Sequence, residues 1–239
     1  MTGTKELESF RSVLSTWPDT DFEITDTVVK FGEFLGDRPP LMRELYKLIK
    51  LKKSQYEYNS LLGTTILFTR TQKGEVTFTF NGEDQVWSED SFFLFLAILD
   101  VYFGKIYPLG SVVEIDLDLL NNDLKEMFSE EPGALVMLTG RKAPLAEGFD
   151  PYVIDYFGRV WPFGEVAAFP PVFVSNMMIK NVVHLGYENE WEERISEEVI
   201  RQTYIKNHQL STAFMTMVDQ LAYLAFLNEK VVEKEGLDE

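Results

Sequence analysis

The sequence predicts an α+β protein: an antiparallel β-sheet with flanking helices and a long C-terminal helix. Three observations carry that prediction. Apolar residues recur at helical spacing towards both ends of the chain, while much of the middle alternates apolar and polar positions. Asn81-Gly82, Gly74, Gly110 and Gly164 break the alternating stretches where turns are needed. The last long helical pattern begins beyond Ser196. With 239 residues and 45% hydrophobic content, the chain suffices for one domain with a sizeable core. It divides into an N-terminal part of helices, hairpin and helix (1–105), a β-rich segment (106–195), and a C-terminal helix and tail (196–239).

Lys5 to Trp17 reads as a short amphipathic helix ended by Pro18. A loop through Asp37-Arg38-Pro39-Pro40 leads to a second helix, Leu41 to Ser54, with Pro40 near its first turn. Leu41, Leu45, Leu48 and Ile49 form its apolar stripe. Lys47, Lys50, Lys52 and Lys53 fall mostly elsewhere, as a basic patch expected to face water. Thr65 to Thr69 and Val76 to Phe80 are strands, and Asn81-Gly82 supplies the positive-φ pair of a tight hairpin before Gln85-Val86-Trp87. Ser88 caps a very apolar helix ending near Gly104, which being apolar all round belongs in the core.

A second block repeats this order. Ser111 to Ile115, Ala134 to Thr139 and Tyr152 to Val160 read as strands, with further pieces at Pro171 to Ser175 and Val182 to Leu185. Ser196, followed by two glutamates, opens the last helical region. Two blocks of sheet then helix suggest a pseudo-twofold arrangement, although no residue-level repeat accompanies it. In the last region Leu210, Phe214, Met217, Leu221, Leu224 and Val231 fall on steps of four and three, with Asn228 in the one polar slot. Such a seam ordinarily packs on the protein's own sheet. The alternative is that part of it receives a helix from another chain.

Composition narrows the function. Lys plus Arg is 22 against 39 Asp plus Glu, a net charge of −17, which repels nucleic acid and anionic lipid and suits solubility or a basic partner. Cys is absent, which removes disulfides, thiolate metal sites and cysteine nucleophiles. The first residues are polar, and the apolar run Phe92 to Leu99 is too short to span a bilayer, so a cytoplasmic location without membrane insertion is expected. Gly110-Ser111-Val112-Val113 lacks the nucleophile-elbow pattern, and no phosphate-binding glycine loop occurs. His184 and His208 are the only histidines and read as structural or surface residues. Glu114, Asp116 and Asp118 alternate and would share one face of a continued strand. A hard-cation site there is weighed against an acidic strand edge, and the edge is preferred. No enzyme, cofactor or metal site is expected.

The run from Tyr107 to Glu188 carries a set of spaced positions: Pro108, Gly110, Ser111, Val112 and Val113; Gly140 and Arg141; Asp155, Tyr156 and Gly158; Pro162 and Gly164; Ile179 and Val182; Gly186, Tyr187 and Glu188. Over about residues 107–190 it resembles a domain-of-unknown-function family encoded beside type VIIb secretion genes and LXG toxins in Gram-positive bacteria. It departs from that pattern by the insertion from Leu117 to Pro132 and by Trp161 and Phe163 flanking Pro162. Bottom-up, the glycines suit turns and close strand crossings, and Arg141 with Asp155 is expected to form an ion pair ordering the sheet.

The resemblance implies an accessory protein of toxin export. It would act as a chaperone or adaptor for the helical N-terminal region of an LXG toxin, or bind that toxin's small helical partner proteins. The EspG-like chaperones of the related mycobacterial pathway make a pseudo-twofold α+β architecture plausible by analogy. The alternative is an immunity protein blocking the toxin's C-terminal domain, and a small-ligand or cation binder ranks third. Candidate partner-binding residues are Trp161, Phe163, Phe214, Met217, Leu221 and Leu224.

Overall fold

Helix α1 (Thr2–Thr16) opens the chain, followed by α2 (Asp26–Gly36) and α3 (Pro39–Lys50). These come from a computed structural model, which describes residues 2–61, 63–166 and 171–235, and side chains over 7–61, 63–166 and 171–227. Helix α2 is an element the sequence analysis does not assign. The start signal is nonetheless present: the Thr25 side chain accepts from the Val28 amide, Asp26 sits in the first turn, and Val28, Val29, Phe31 and Leu35 are buried.

A four-stranded antiparallel sheet follows, in the order β1 (Gln55–Asn59), β2 (Thr65–Arg70), β3 (Glu75–Phe80), β4 (Glu83–Ser88). Strand β1 was missing from the sequence reading because its short alternation of Gln, Tyr, Glu, Tyr and Asn has no strong apolar member. The β3–β4 turn is as expected, with Asn81 at φ 52° and Gly82 at φ 80°. Phe68, Val76, Phe78 and Trp87 project from the sheet's inner face. Phe31 of α2 packs among them, 4.6 Å from Phe78 and 6.2 Å from Phe68 between ring centroids.

Helix α4 (Glu89–Phe103) is capped by Ser88, whose hydroxyl accepts from the Ser91 amide. It is the hub of this first core. Phe92, Phe95, Leu96, Ile98 and Leu99 are all buried, because neighbours surround the helix on every side. Fully burying one such side chain stabilises by roughly 1.5–3 kcal/mol.

The second sheet has six strands, ordered β10 (Leu210–Ser211), β7 (Tyr152–Val160), β6 (Leu135–Pro144), β5 (Val112–Ile115), β9 (Ile179–His184), with β8 (Val172–Val174) also on β7. Its pairings are antiparallel except β10 on β7. The fold is therefore α+β, with one sheet in each of the two strand blocks read from the sequence. Val113, Ile115, Val136, Leu138, Tyr156, Val174 and Ile179 form a smaller core beneath the second sheet, closed by Leu117, Leu120 and Phe128 from the insertion with its helix α5 (Asn122–Met127).

The C-terminal third differs most from expectation. Asn189, not Ser196, caps the helical segment, accepting from the Trp191 and Glu192 amides. Helix α6 (Glu190–Arg194) runs into a π-helical stretch, Ile195–Arg201, and then α7 (Gln202–Lys206). His208 at φ 51° ends it, after which β10 and a 3-10 turn (Thr212–Phe214) return to the body. Only then does α8 (Met217–Glu235) begin. Leu210 and Phe214 thus belong to no helical seam with Met217. Asn228 and Val231 lie outside the residues with described side chains, and 236–239 of the tail lie outside the described residues altogether. Among the described residues no helix is long and apolar enough to cross a membrane.

Candidate partner-binding surface

Among the described side chains, helix α8 is held from one side. Thr216 accepts from the Asp219 amide at 3.1 Å and donates to the Asp219 carboxylate at 2.7 Å, starting the helix. Tyr152 of β7 donates its hydroxyl to the same carboxylate at 2.6 Å. These two hydrogen bonds hold the Asp219 carboxyl below the usual carboxylate range, Tyr152 first. Phe149 packs edge-on against Tyr223 at 4.9 Å and against Phe226 at 5.9 Å. Residues 219, 223 and 226 lie on one side of the helix.

Met217, Leu221 and Leu224 lie on the other side, at the four-then-three spacing of a coiled-coil seam, with Val218 and Leu227 beside them. These five side chains are between 40% and 75% exposed, and Ala222 and Ala225 widen the strip. The helix thus turns its polar anchor inward and leaves an apolar seam exposed.

Of the sequence candidates, Met217, Leu221 and Leu224 come together here. Phe214 does not. It is 4% exposed, 5.0 Å from Phe93 and 5.3 Å edge-on to Tyr46, whose hydroxyl donates to the Ala213 carbonyl. It is a core residue, because the 3-10 turn points it into the first core. Trp161 and Phe163 are 43% and 60% exposed but stand at the far end of β7 from Tyr152. Nine residues of strand separate Trp161 from the α8 anchor, about 30 Å at roughly 3.3 Å per residue. They belong to a second patch. The Trp161 amide donates to the Leu135 carbonyl at 2.9 Å, extending a sheet face that carries Leu135, Met137, Val112 and Phe157, all half-buried, and exposed Phe173.

The carboxylates considered for a cation are engaged otherwise. The strand stops at Ile115, so the three do not share a strand face. Asp116 caps the following 3-10 turn and takes Lys47 at 2.9 Å, and Asp118 takes it at 3.3 Å. Lys47 is buried in this nest, with Glu44 at 2.6 Å, instead of joining the solvated patch assigned to it. Glu114 binds Lys180 and Asn181.

The strongest concentration of perturbed groups lies between the two cores. Asp100 of α4 is buried and accepts from the Asn176 amide group at 3.0 Å. Burial first, then the negative charge of Asp155, pushes its carboxyl up to about 7. Lys142 reaches Asp155 at 2.7 Å. Burial alone would lower the ammonium, but Asp155 and Asp100 hold it above its ordinary value. Arg201 donates to the carbonyls of Val101 at 2.8 Å and of Tyr102 and Gly104 at 2.9 Å, closing the C-terminus of α4. Perturbed groups in a cleft would suggest catalysis. Here the space between Asp100, Lys142, Arg201, Tyr204 and Ser211 is only about 10 Å³, room for one water at most. The cluster joins the two cores.

The spaced motif of the middle segment does structural work too. The Ser111 hydroxyl donates to the Pro108 carbonyl at 2.8 Å and accepts from the Gly186 amide at 2.9 Å. A side chain at Gly186 would meet the Leu109 carbonyl at 2.3 Å, so only glycine lets the two loops close. Tyr156 accepts from the Tyr107 amide and donates to the Lys105 carbonyl. Arg141 does not pair with Asp155. It grips Glu192 through both guanidinium nitrogens and reaches Ser196, pinning α6 to the sheet.

The molecule is thus an α+β protein whose candidate functional features are exposed apolar faces. Residues 106–195, the segment carrying this motif, match the family model described as Domain of unknown function (DUF4176). No curated protein and no solved structure matches the chain. The match takes in all of the second sheet but β10; α8 lies outside it.

Proposed function

We propose that the chain is a cytoplasmic, non-enzymatic accessory protein of type VII secretion. As a chaperone or adaptor it receives the helical N-terminal region of an LXG-type toxin, or of a small helical partner protein, on the outer seam of α8. The observation that carries this reading is the outward-facing Met217, Leu221 and Leu224, opposite the Asp219 and Tyr223 anchors. The resemblance of the middle segment supplies the setting.

Covering five half-exposed apolar side chains yields roughly 1 kcal/mol each, against an association cost of at least about 4 kcal/mol. The seam alone therefore binds weakly. A helical hairpin with arms of about 20 residues spans roughly 30 Å, long enough to engage the Trp161 face as well. Co-expression with each half of the adjacent toxin is the test. The N-terminal half should co-purify, and Leu221→Ser with Leu224→Ser should release it. Retention of the C-terminal half alone, with protection of the cell, would instead establish an immunity protein, a reading favoured by the net charge of −17.

A further inference from the structure

We propose that Trp191, Ile195 and Val199 form a second docking surface, whose occupant is a cationic amphipathic helix. The site is independent of the export reading and lies on a different element from α8. The three side chains recur every four residues along α6 and the π-helical stretch and are between 43% and 69% exposed.

In an α-helix each four-residue step drifts by about 40°, since each residue turns about 100°. Here Ile195 to Arg201 is π-helical. The wider i→i+5 turn keeps Ile195 and Val199 nearly in line, and such local widening recurs at functional sites. The adjoining side is locked to the body. Arg141 holds Glu192, Ser196 is buried and donates to Glu192 at 3.2 Å, and Arg201 closes the end of α4. The stripe is therefore rigid before any partner arrives, which lowers the entropic cost of binding.

Charge selects the occupant. Between residues 187 and 201 stand Glu188, Glu190, Glu192, Glu193, Glu197 and Glu198 against Arg194 and Arg201. Lys105, Arg141, Arg201 and Arg194 pair with Glu188, Glu192, Glu197 and Glu198. Glu190, beside Trp191, and Glu193, across the helix from it, have no ion pair among the described residues. An apolar stripe on a segment with this acidic excess, with unpaired Glu190 at its edge, favours a helix with Lys or Arg flanking its apolar face and repels an anionic membrane or an acidic helix.

The probe is a labelled synthetic helix of about 18 residues, Leu on one face and Lys on the other, titrated into the full chain and followed by anisotropy. A second peptide carries Glu in place of Lys, and anionic vesicles make a third arm. Saturable binding of the Lys peptide alone is expected. Trp191→Ala or Ile195→Ser should weaken it at least about tenfold. Glu190→Lys with Glu193→Lys should weaken it and flatten its salt dependence. Leu221→Ser on α8 should leave it unchanged. Melting temperatures within about 2 °C of the parent show that each variant folds. Equal binding of the Glu peptide, binding of vesicles instead, insensitivity to both Trp191→Ala and Ile195→Ser, loss only in Leu221→Ser, or no saturation by about 100 µM would each overturn the proposal.

Discussion

Lys142 and Asp155 face each other across the β6–β7 ladder, Nζ to Oδ1 at 2.7 Å, with the carboxylate sealed from solvent. The other oxygen of Asp155 accepts from the Ser211 hydroxyl at 2.6 Å and the Asn176 amide at 3.0 Å. One carboxylate thus ties together β6, β7, β10 and the turn before β9. Asp100 and Arg201 stand on the α4 side of the same cluster, so the polar groups between the cores also fix how the two sheets meet.

Removing one partner of such a pair leaves a buried charge without compensation. Lys142→Met should destabilise by about 3–5 kcal/mol, and the double variant Lys142→Met with Asp155→Leu should recover part of that loss. Urea denaturation of the two single variants and the double gives the coupling directly. Additive losses would mean that the pair is not coupled.

Asp100 sets a pH dependence whose sign runs against the usual acid-denaturation pattern. Its carboxyl is raised from the ordinary 3.8 to about 7 by burial and then by Asp155. The folded state therefore binds the proton more tightly than the unfolded chain. That stabilisation is complete below about pH 4 and is lost as pH rises through about 7, worth a few kcal/mol at most. Asp100→Asn should match the parent near pH 4 and melt higher than it at pH 8. Asp116 and Glu197, both held below the ordinary range, act in the opposite sense and lose their contribution in acid. A parent-to-variant difference constant from pH 4 to pH 8 would refute the assignment to Asp100.

Arg201 closes three carbonyls at the end of α4 with one guanidinium. A lysine cannot span them, because its ammonium is a point donor and not a planar fork. Arg201→Lys should therefore lose nearly as much stability as Arg201→Met, about 2 kcal/mol or more. Thermal melts of the two variants, compared side by side, check this.

The local signals in the sequence were reliable where one residue type dictates one geometry. Asn81-Gly82 made its hairpin, Ser88 capped its helix, and Tyr152 to Val160 formed a strand as read. Signals that depend on distant partners were not legible. Lys47 looked like part of a solvated face until Asp116 and Asp118, some seventy residues on, enclosed it. The heptad from Leu210 to Val231 looks continuous in the sequence, but β10 pairs with β7 and pulls Leu210 and Phe214 out of helical register. Tertiary pairing outweighed the pattern there. Trp191, Ile195 and Val199 are spaced by four, and the π-helical turn that brings Ile195 and Val199 nearly into line has no signature in the sequence.

The former heptad now divides into halves that predict opposite behaviour. Phe214 sits between Tyr46 and Phe93 in the first core, so Phe214→Ala should cost about 3–5 kcal/mol and Phe214→Asp should prevent folding. Leu221, exposed on the solvent side of α8, loses little when exchanged: Leu221→Asp should shift stability by no more than about 0.5 kcal/mol. The same variant places a charge in the middle of the apolar seam and should abolish partner binding, because a carboxylate buried there has no cation to meet it. Denaturation curves and a pull-down on the two variants separate the roles. If Leu221→Asp unfolds the protein, α8 is packed on its own body and the seam is core; if it stays folded and keeps its partner, the interface lies elsewhere.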